Sequence, residues 1–591
     1  MAQRTYSDPK WWKEAVVYQV YPASFLSTGS GSIPGWGDIK GITRKVSYLK
    51  DLGVDIIWLS PVCKSPQADM GYDISDYTDI DPRYGSLDDI DELIATLKSR
   101  GMKLMMDLVV NHTSDQHAWF LDSKSSKTAD KRDWYIWQPA KYDADGNRQP
   151  PNNWAQILGD ANSAWTWDEH TQEYYLSLFT PEQPDLNWRN PQVREAVHDV
   201  LRFWLDRGIN GFRMDVINVI SKVEGYPDAP VQDKSAKWQP GFMHFANGPH
   251  LHEYLREMRR KVLASYDTVT VGEMPWVNDE EEIVKVVGAE SEELNMIFIF
   301  ELMDMDSDTR KLSIGPWKPA DLRRIVSKWQ TVMYEKNGWN SIFIENHDNA
   351  RSVSRFVDDS KQFRELGAKL LCLLATSLGG TLYVYQGQEL GMKNVPESWE
   401  IEEYLDVETR NFWEAMQALH IGDESALQED KKIVSRKARD HARTPVQWTS
   451  QPNAGFCEEG TKPWMRVNDD YLKWNARSQL ANMEGQSVVQ FWRHALQRRK
   501  NFKDAFVYGA FECLDNEHES VFAFKRTSAE NDNLWMVVLN FSANELQWNL
   551  PKGLQVHGFI ESNYGDAPIE PKDGKVRLRA WEGVLGRCFV E

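Results

Sequence analysis

The chain has 591 residues, with 68 Lys and Arg against 88 Asp and Glu, and a formal charge of −20 at neutral pH. A single core stops growing at roughly 250 to 300 residues, so this length implies a large domain with appendages. The acidic balance repels phosphate backbones and anionic membrane surfaces, which argues against nucleic acid or a membrane as partner and leaves a neutral small molecule compatible.

Residues 1–8 have no apolar stretch behind Arg4, so no secretory signal is expected. Short β-branched and aromatic runs then recur along the chain, at 15–21, 54–59, 103–108, 211–215, 268–272, 296–300, 341–344 and 381–385. Amphipathic segments lie between them, such as 90–98 and 193–205, ending near Gly101 and Gly208. The alternation predicts a parallel sheet covered by helices, and eight strands close a (β/α)8 barrel. The catalytic barrel is expected to begin with residues 1–111. Residues 112–184, rich in Trp, Tyr, Asn, Gly and Pro, read as an irregular subdomain inserted after the third strand. The barrel resumes over 185–502, with a second insertion at 392–485 and a last helix at 487–499. The uncharged run 370–388 is broken by Thr376, Ser377, Gly379 and Gly380, so it reads as a helix end and a buried strand, not a membrane span. From 503 to 591 the pattern is short alternating strands without a helix, an all-β C-terminal domain. Cys63, Cys372, Cys457, Cys513 and Cys588 are odd in number and lack CxxC spacing; they read as buried thiols of a cytoplasmic protein rather than disulfides or zinc ligands.

Barrel enzymes carry their catalytic groups at the C-terminal ends of strands. Four strands run into ionisable residues there: Met105-Met106-Asp107-Leu108-Val109-Val110-Asn111-His112, Gly211-Phe212-Arg213-Met214-Asp215, Val269-Thr270-Val271-Gly272-Glu273 and Phe343-Ile344-Glu345-Asn346-His347-Asp348. Each carboxylate alone reads equally well as half of an ion pair. Three converging on one rim, with no His or Cys cluster beside them, point to two-carboxylate glycosidic chemistry in preference to metal hydrolysis. No metal or cofactor is expected. Spacing does not decide which carboxylate attacks and which donates a proton.

These segments, together with Val17-Tyr18-Gln19-Val20-Tyr21-Pro22, Gln183-Pro184-Asp185-Leu186-Asn187 and Arg443-Thr444-Pro445-Val446-Gln447-Trp448, resemble the conserved regions of the α-amylase family, glycoside hydrolase family 13, in its oligo-1,6-glucosidase and maltase branch. The resemblance covers nearly the whole chain. It implies Asp215 as nucleophile, Glu273 as acid/base and Asp348 as the carboxylate that orients the sugar and stabilises the transition state, with retention of configuration. Arg213 would hydrogen-bond the nucleophile and keep it ionised. His112 and His347 would hold the reacting glucose. Asp73 would reach the far hydroxyls of the terminal glucose with Arg439 as its partner clamp, Arg443 being the alternative. Tyr72 and Tyr77 would frame that sugar or pack the loop. A site closed at one end implies release of single glucose units from non-reducing ends of short oligosaccharides. Val216, directly after the nucleophile, implies tolerance of α-1,6 bonds, where strict maltases carry Ala or Thr.

Two departures from the family pattern stand out. The loop Ser27-Thr28-Gly29-Ser30-Gly31-Ser32-Ile33-Pro34-Gly35-Trp36-Gly37-Asp38 lacks the acidic ligands of the calcium loop found in relatives, so no calcium is expected there. Trp276 stands where relatives usually have Gly; its ring either narrows the leaving-group side or packs on the rim. The competing readings are an α-1,4-preferring maltase or sucrase, a sucrose isomerase or transglucosylase, and a non-enzymatic transporter heavy chain. The isomerase reading is disfavoured because Asn349-Ala350-Arg351-Ser352-Val353-Ser354-Arg355-Phe356 lacks an Arg-Leu-Asp-Arg-Asp run. The heavy-chain reading requires a membrane span and lost carboxylates. Oligomeric state, monomer or homodimer, is open.

Overall fold

The computed structural model describes residues 8–159, 161–307, 312–483, 486–530, 533–566 and 570–590. Eight strands appear where the sequence pattern places them: β1 (Val16–Val20), β2 (Ile56–Leu59), β3 (Lys103–Val109), β4 (Gly211–Asp215), β5 (Val269–Glu273), β6 (Met296–Phe298), β7 (Ser341–Ile342) and β8 (Thr381–Tyr385). They form one parallel sheet in the order β6-β5-β4-β3-β2-β1-β8-β7. The ends meet where the Ser341 hydroxyl donates to the Ile297 carbonyl at 2.6 Å, so the sheet curls into a nearly closed barrel. Every residue of β1, β2, β4, β5 and β8 is buried, as expected of strands covered on both faces. β7 is shorter than its sequence pattern because the chain leaves the ladder after Ile342 to form the rim segment that carries Asp348.

Local chemistry starts and stops the covering helices. Helix α1 (Ile39–Leu52) begins at Asp38, whose carboxylate accepts from the Gly41 amide at 2.7 Å. α2 (Leu87–Ser99) begins with a capping box between Ser86 and Asp89. α3 (Pro191–Arg207) has Asn190 as N-cap and Pro191 in its first turn, and ends at Gly208, whose φ of 112° suits only glycine without strain.

Between β3 and α3 the inserted subdomain is built around a three-stranded antiparallel sheet (Trp137–Gln138, Glu173–Leu176 and Trp165–Asp168) and a small hairpin. The insertion after β8 carries helices Val407–Leu419 and Glu424–Lys437. The last barrel helix is Val488–Asn501. Beyond it the expectation of strands alone needs one correction: Lys503–Phe506 is a short helical turn, set off from the preceding helix by Phe502 (φ −121°, ψ 43°). A five-stranded antiparallel sheet follows, with a separate two-stranded one. Arg323 fastens this domain to the barrel by donating to the carbonyls of Asn516, His518 and Val521.

Candidate active site

Side chains two apart on a strand share a face, so Arg213 and Asp215 of β4 project together, and the β3–β4 register sets Asp107 opposite Arg213. Glu273 ends the neighbouring β5. The result is one guanidinium among three carboxylates: Arg213 reaches Asp107 at 2.7 Å, Asp215 at 2.5 Å and Glu273 at 2.7 Å. Asp107 also accepts from the Trp58 indole at 2.8 Å. All four charged groups are buried.

The direct Arg213–Asp215 contact matches the sequence expectation, but its electrostatic consequence does not. Burial pushes Asp215 well above the usual carboxylate range, with Glu273 and Asp107 adding to the rise and Arg213 opposing it. Burial likewise raises Asp107 to about 6. A single cation divided among three carboxylates cannot offset the burial of them all, which is why Asp215 and Asp107 stay raised despite their contacts with Arg213.

A second cluster lies around Asp348. Gln19 donates its amide to Nδ1 of His347 at 2.8 Å, so the ring proton sits on Nε2, facing the Tyr72 hydroxyl at 2.6 Å and Asp348 at 3.1 Å. Tyr72 stacks on His347 with centroids 5.4 Å apart, and burial holds His347 neutral by pushing its pKa well down. His112 is buried too, at about 4, with Nε2 facing the Tyr72 carbonyl at 3.0 Å and Nδ1 facing the Asn111 amide at 3.2 Å. Tyr77 does not frame this space; its hydroxyl donates to the carbonyls of Val109 and His112.

Asp73 does not meet Arg439. Its carboxylate is turned into its own loop, where it accepts from the Ala68 amide (2.8 Å), the Asp69 amide (3.0 Å) and the Ser65 hydroxyl (2.9 Å). The carboxylate that meets Arg439 is Asp69, at 3.1 Å, which also accepts from Gln183 at 3.2 Å and is raised by burial to about 6. Nor is the choice between the two arginines exclusive. Arg439 reaches Asp348 at 3.2 Å and Arg443 reaches the same oxygen at 3.0 Å. Behind both lies Asp406, paired with Arg439 at 2.8 Å and with Arg443 at 2.6 Å.

Several of these residues escaped the sequence reading. Asp69 and Asp73 share one turn, and only backbone geometry tells which is spent on amides. Asp406 sits at a helix N-cap in the second insertion, with no strand-end position to mark it. Lys222 is buried against Asp185 at 2.7 Å and donates to Asn111 at 2.7 Å, orienting the amide that faces His112.

Val216 occupies a left-handed backbone conformation, φ 33° and ψ 43°, which costs a β-branched residue on the order of 1–3 kcal/mol. Its amide donates to Glu273 at 3.1 Å, and its side chain packs in a cluster with Trp154, Phe179, Val219 and Phe245. In the loop after β1, Asp38 accepts from the Thr28 amide and hydroxyl, so its oxygens hold the turn together. Among the described residues no group of three or more His, Cys, Asp or Glu has metal-binding geometry, and no helix is long and apolar enough to cross a membrane.

Residues 19–509 match the model of the α-amylase catalytic domain. The chain belongs to the α-amylase family, glycoside hydrolase family 13. Within that family it is 49% identical to an α-glucosidase of Schizosaccharomyces pombe, over 94% of this chain and 95% of that one. It is 45% identical to an oligo-1,6-glucosidase of Parageobacillus thermoglucosidasius, over 97% and 98% of the two chains. The crystal structure of isomaltulose synthase from Erwinia rhapontici superposes with a TM-score of 0.89 at 38% identity, covering 98% of this chain and 99% of that one. An α-amylase-family barrel therefore carries the two side-chain clusters described above.

Proposed function

We propose that this glycoside hydrolase is a retaining, exo-acting α-glucosidase that releases glucose from the non-reducing ends of short α-glucosides and prefers α-1,6 bonds. The observation that carries the reading is the closed group of Asp69, Asp348, Arg439 and Arg443, joined through His347 and Tyr72 to Arg213, the shared partner of Asp215 and Glu273. Its charged side chains bond one another, so it forms a polar end wall able to hydrogen-bond the hydroxyls of one terminal sugar and to stop a longer chain.

In this reading Asp215 attacks the anomeric carbon while Glu273 passes its proton to the leaving oxygen; water activated by Glu273 then releases glucose. Two arms of one guanidinium reach both carboxyls, which suits the close spacing of retaining chemistry, about 5 to 5.5 Å, better than the wider gap of inversion. With Glu273 as the acid, Arg213 serves Asp107 and the attacking Asp215. Asp348 and the neutral imidazoles of His112 and His347 take the sugar hydroxyls. Val216 supports the α-1,6 preference, and α-1,4 activity coexists because one pocket contact is worth only about 1–3 kcal/mol. Five free cysteines fit a reducing, cytoplasmic setting.

Initial rates and products with isomaltose, maltose, sucrose and trehalose test the proposal. Glucose released from isomaltose first as the α-anomer is expected. Rearrangement of sucrose without net hydrolysis would favour an isomerase instead. Asp215→Asn and Glu273→Gln should each lower turnover by orders of magnitude without unfolding the protein; near-normal rates in either would overturn the assignment.

A further inference from the structure

Trp276 is the most exposed of the 26 tryptophans, with 39% of its surface open. It lies three residues beyond Glu273, on the segment that leaves β5 at the C-terminal face of the barrel. Its φ is 63°, a left-handed conformation that bulky side chains rarely adopt and that persists only where the surroundings hold it.

Those surroundings are specific. The Trp276 ring lies nearly parallel to Phe242 (centroids 6.4 Å, 15°) and edge-on to Phe245 (5.7 Å, 82°). Phe245 belongs to the buried cluster that contains Val216, the residue following Asp215. Immediately before Trp276, the Pro275 carbonyl accepts from the Asn218 amide at 2.8 Å, which ties this segment to the turn after β4. Here aromatic support and a backbone tie hold a part-exposed indole on the rim, three residues along the chain from the acid/base.

We propose that Trp276, supported by Phe242, is a stacking platform for the leaving group: a neutral pyranose ring whose C–H face lies on the indole while Glu273 protonates the bond that joins it to the terminal sugar. The site would then have a polar end wall for the glucose that is held and an aromatic shelf for the sugar that departs. A ring on the shelf would add binding to the departing sugar, beyond the one the polar end wall holds.

This inference rests on the α-glucosidase reading, and the experiment separates the two. kcat/KM is measured for isomaltose, whose leaving group is a sugar ring, and for α-glucosyl fluoride, whose leaving group has none, in the unaltered enzyme, Trp276→Gly and Trp276→Phe. Glycine accepts the positive φ without strain, and a thermal midpoint checks that each variant folds. Trp276→Gly is expected to lower the isomaltose-to-fluoride ratio about tenfold, mainly through KM, with Trp276→Phe retaining most of it. A ratio unchanged in Trp276→Gly would overturn the platform. Failure of the unaltered enzyme to turn over α-glucosyl fluoride would overturn the α-glucosidase reading and this inference with it.

Discussion

Asp69 and Asp73 lie four residues apart in one loop, yet the structure gives them opposite tasks, and paired substitutions expose the difference. Asp69→Asn removes the charge facing Arg439 and Gln183. A charge-assisted hydrogen bond contributes about 1.5–3 kcal/mol, so kcat/KM for isomaltose should fall roughly 10- to 200-fold. The fold should lose little, because Arg439 keeps Asp406 at 2.8 Å. Asp73→Asn acts on the other quantity. Its two oxygens accept three hydrogen bonds inside the loop, and an amide nitrogen in place of one oxygen faces a buried donor with another donor. About 1–3 kcal/mol of stability should be lost. Thermal midpoints and steady-state kinetics on isomaltose, run on both variants, give the readout. Asp69→Asn should lose activity at a nearly unchanged midpoint, and Asp73→Asn should show a lowered midpoint. The reverse pattern, with Asp73→Asn impairing kcat/KM at full stability while Asp69→Asn behaves as the unaltered enzyme, would refute the assignment.

Glu273→Gln should be far less damaging for α-glucosyl fluoride than for isomaltose, because fluoride leaves without a proton donor; equal losses on both substrates would contradict an acid/base role. Val216→Thr should move the isomaltose-to-maltose rate ratio towards maltose by a factor of up to about 100, and an unchanged ratio would remove Val216 from linkage selection. Glu389, which accepts from Tyr18 and Tyr48 at 2.9 Å, is raised by burial to about 7. The fold therefore favours its protonated form, a contribution fully present below pH 4.5 and lost as pH rises through 7, worth up to about 3 kcal/mol. Glu389→Gln cannot titrate, so its midpoint should fall less than that of the unaltered protein over this window; parallel curves would contradict the raised value.

Much of this protein is legible in one dimension. Strand and helix periodicities lie in consecutive residues, so the eight strands, the helix stop at Gly208 and the break between the helix Arg364–Ser377 and β8 follow from local pattern. Strand-end position marks Asp215 and Glu273 because a barrel brings all its strand ends to one face. Other features depend on how many partners a group has, and those partners come from distant segments. Asp69 and Asp73 are equivalent carboxylates until the loop closes and three donors claim one of them. Asp406 lies 33 residues from Arg439 and acquires its role when the second insertion folds back over the rim. Arg213 reads as the partner of one nucleophile until the β3–β4 register and the end of β5 bring two further carboxylates to it. The barrel, its insertions and the strand-end catalytic candidates follow from local pattern along the chain. Which carboxylate meets an arginine, which is spent on backbone amides and how one guanidinium is shared follow only from the folded chain, because pairing depends on burial and on charges that folding brings together.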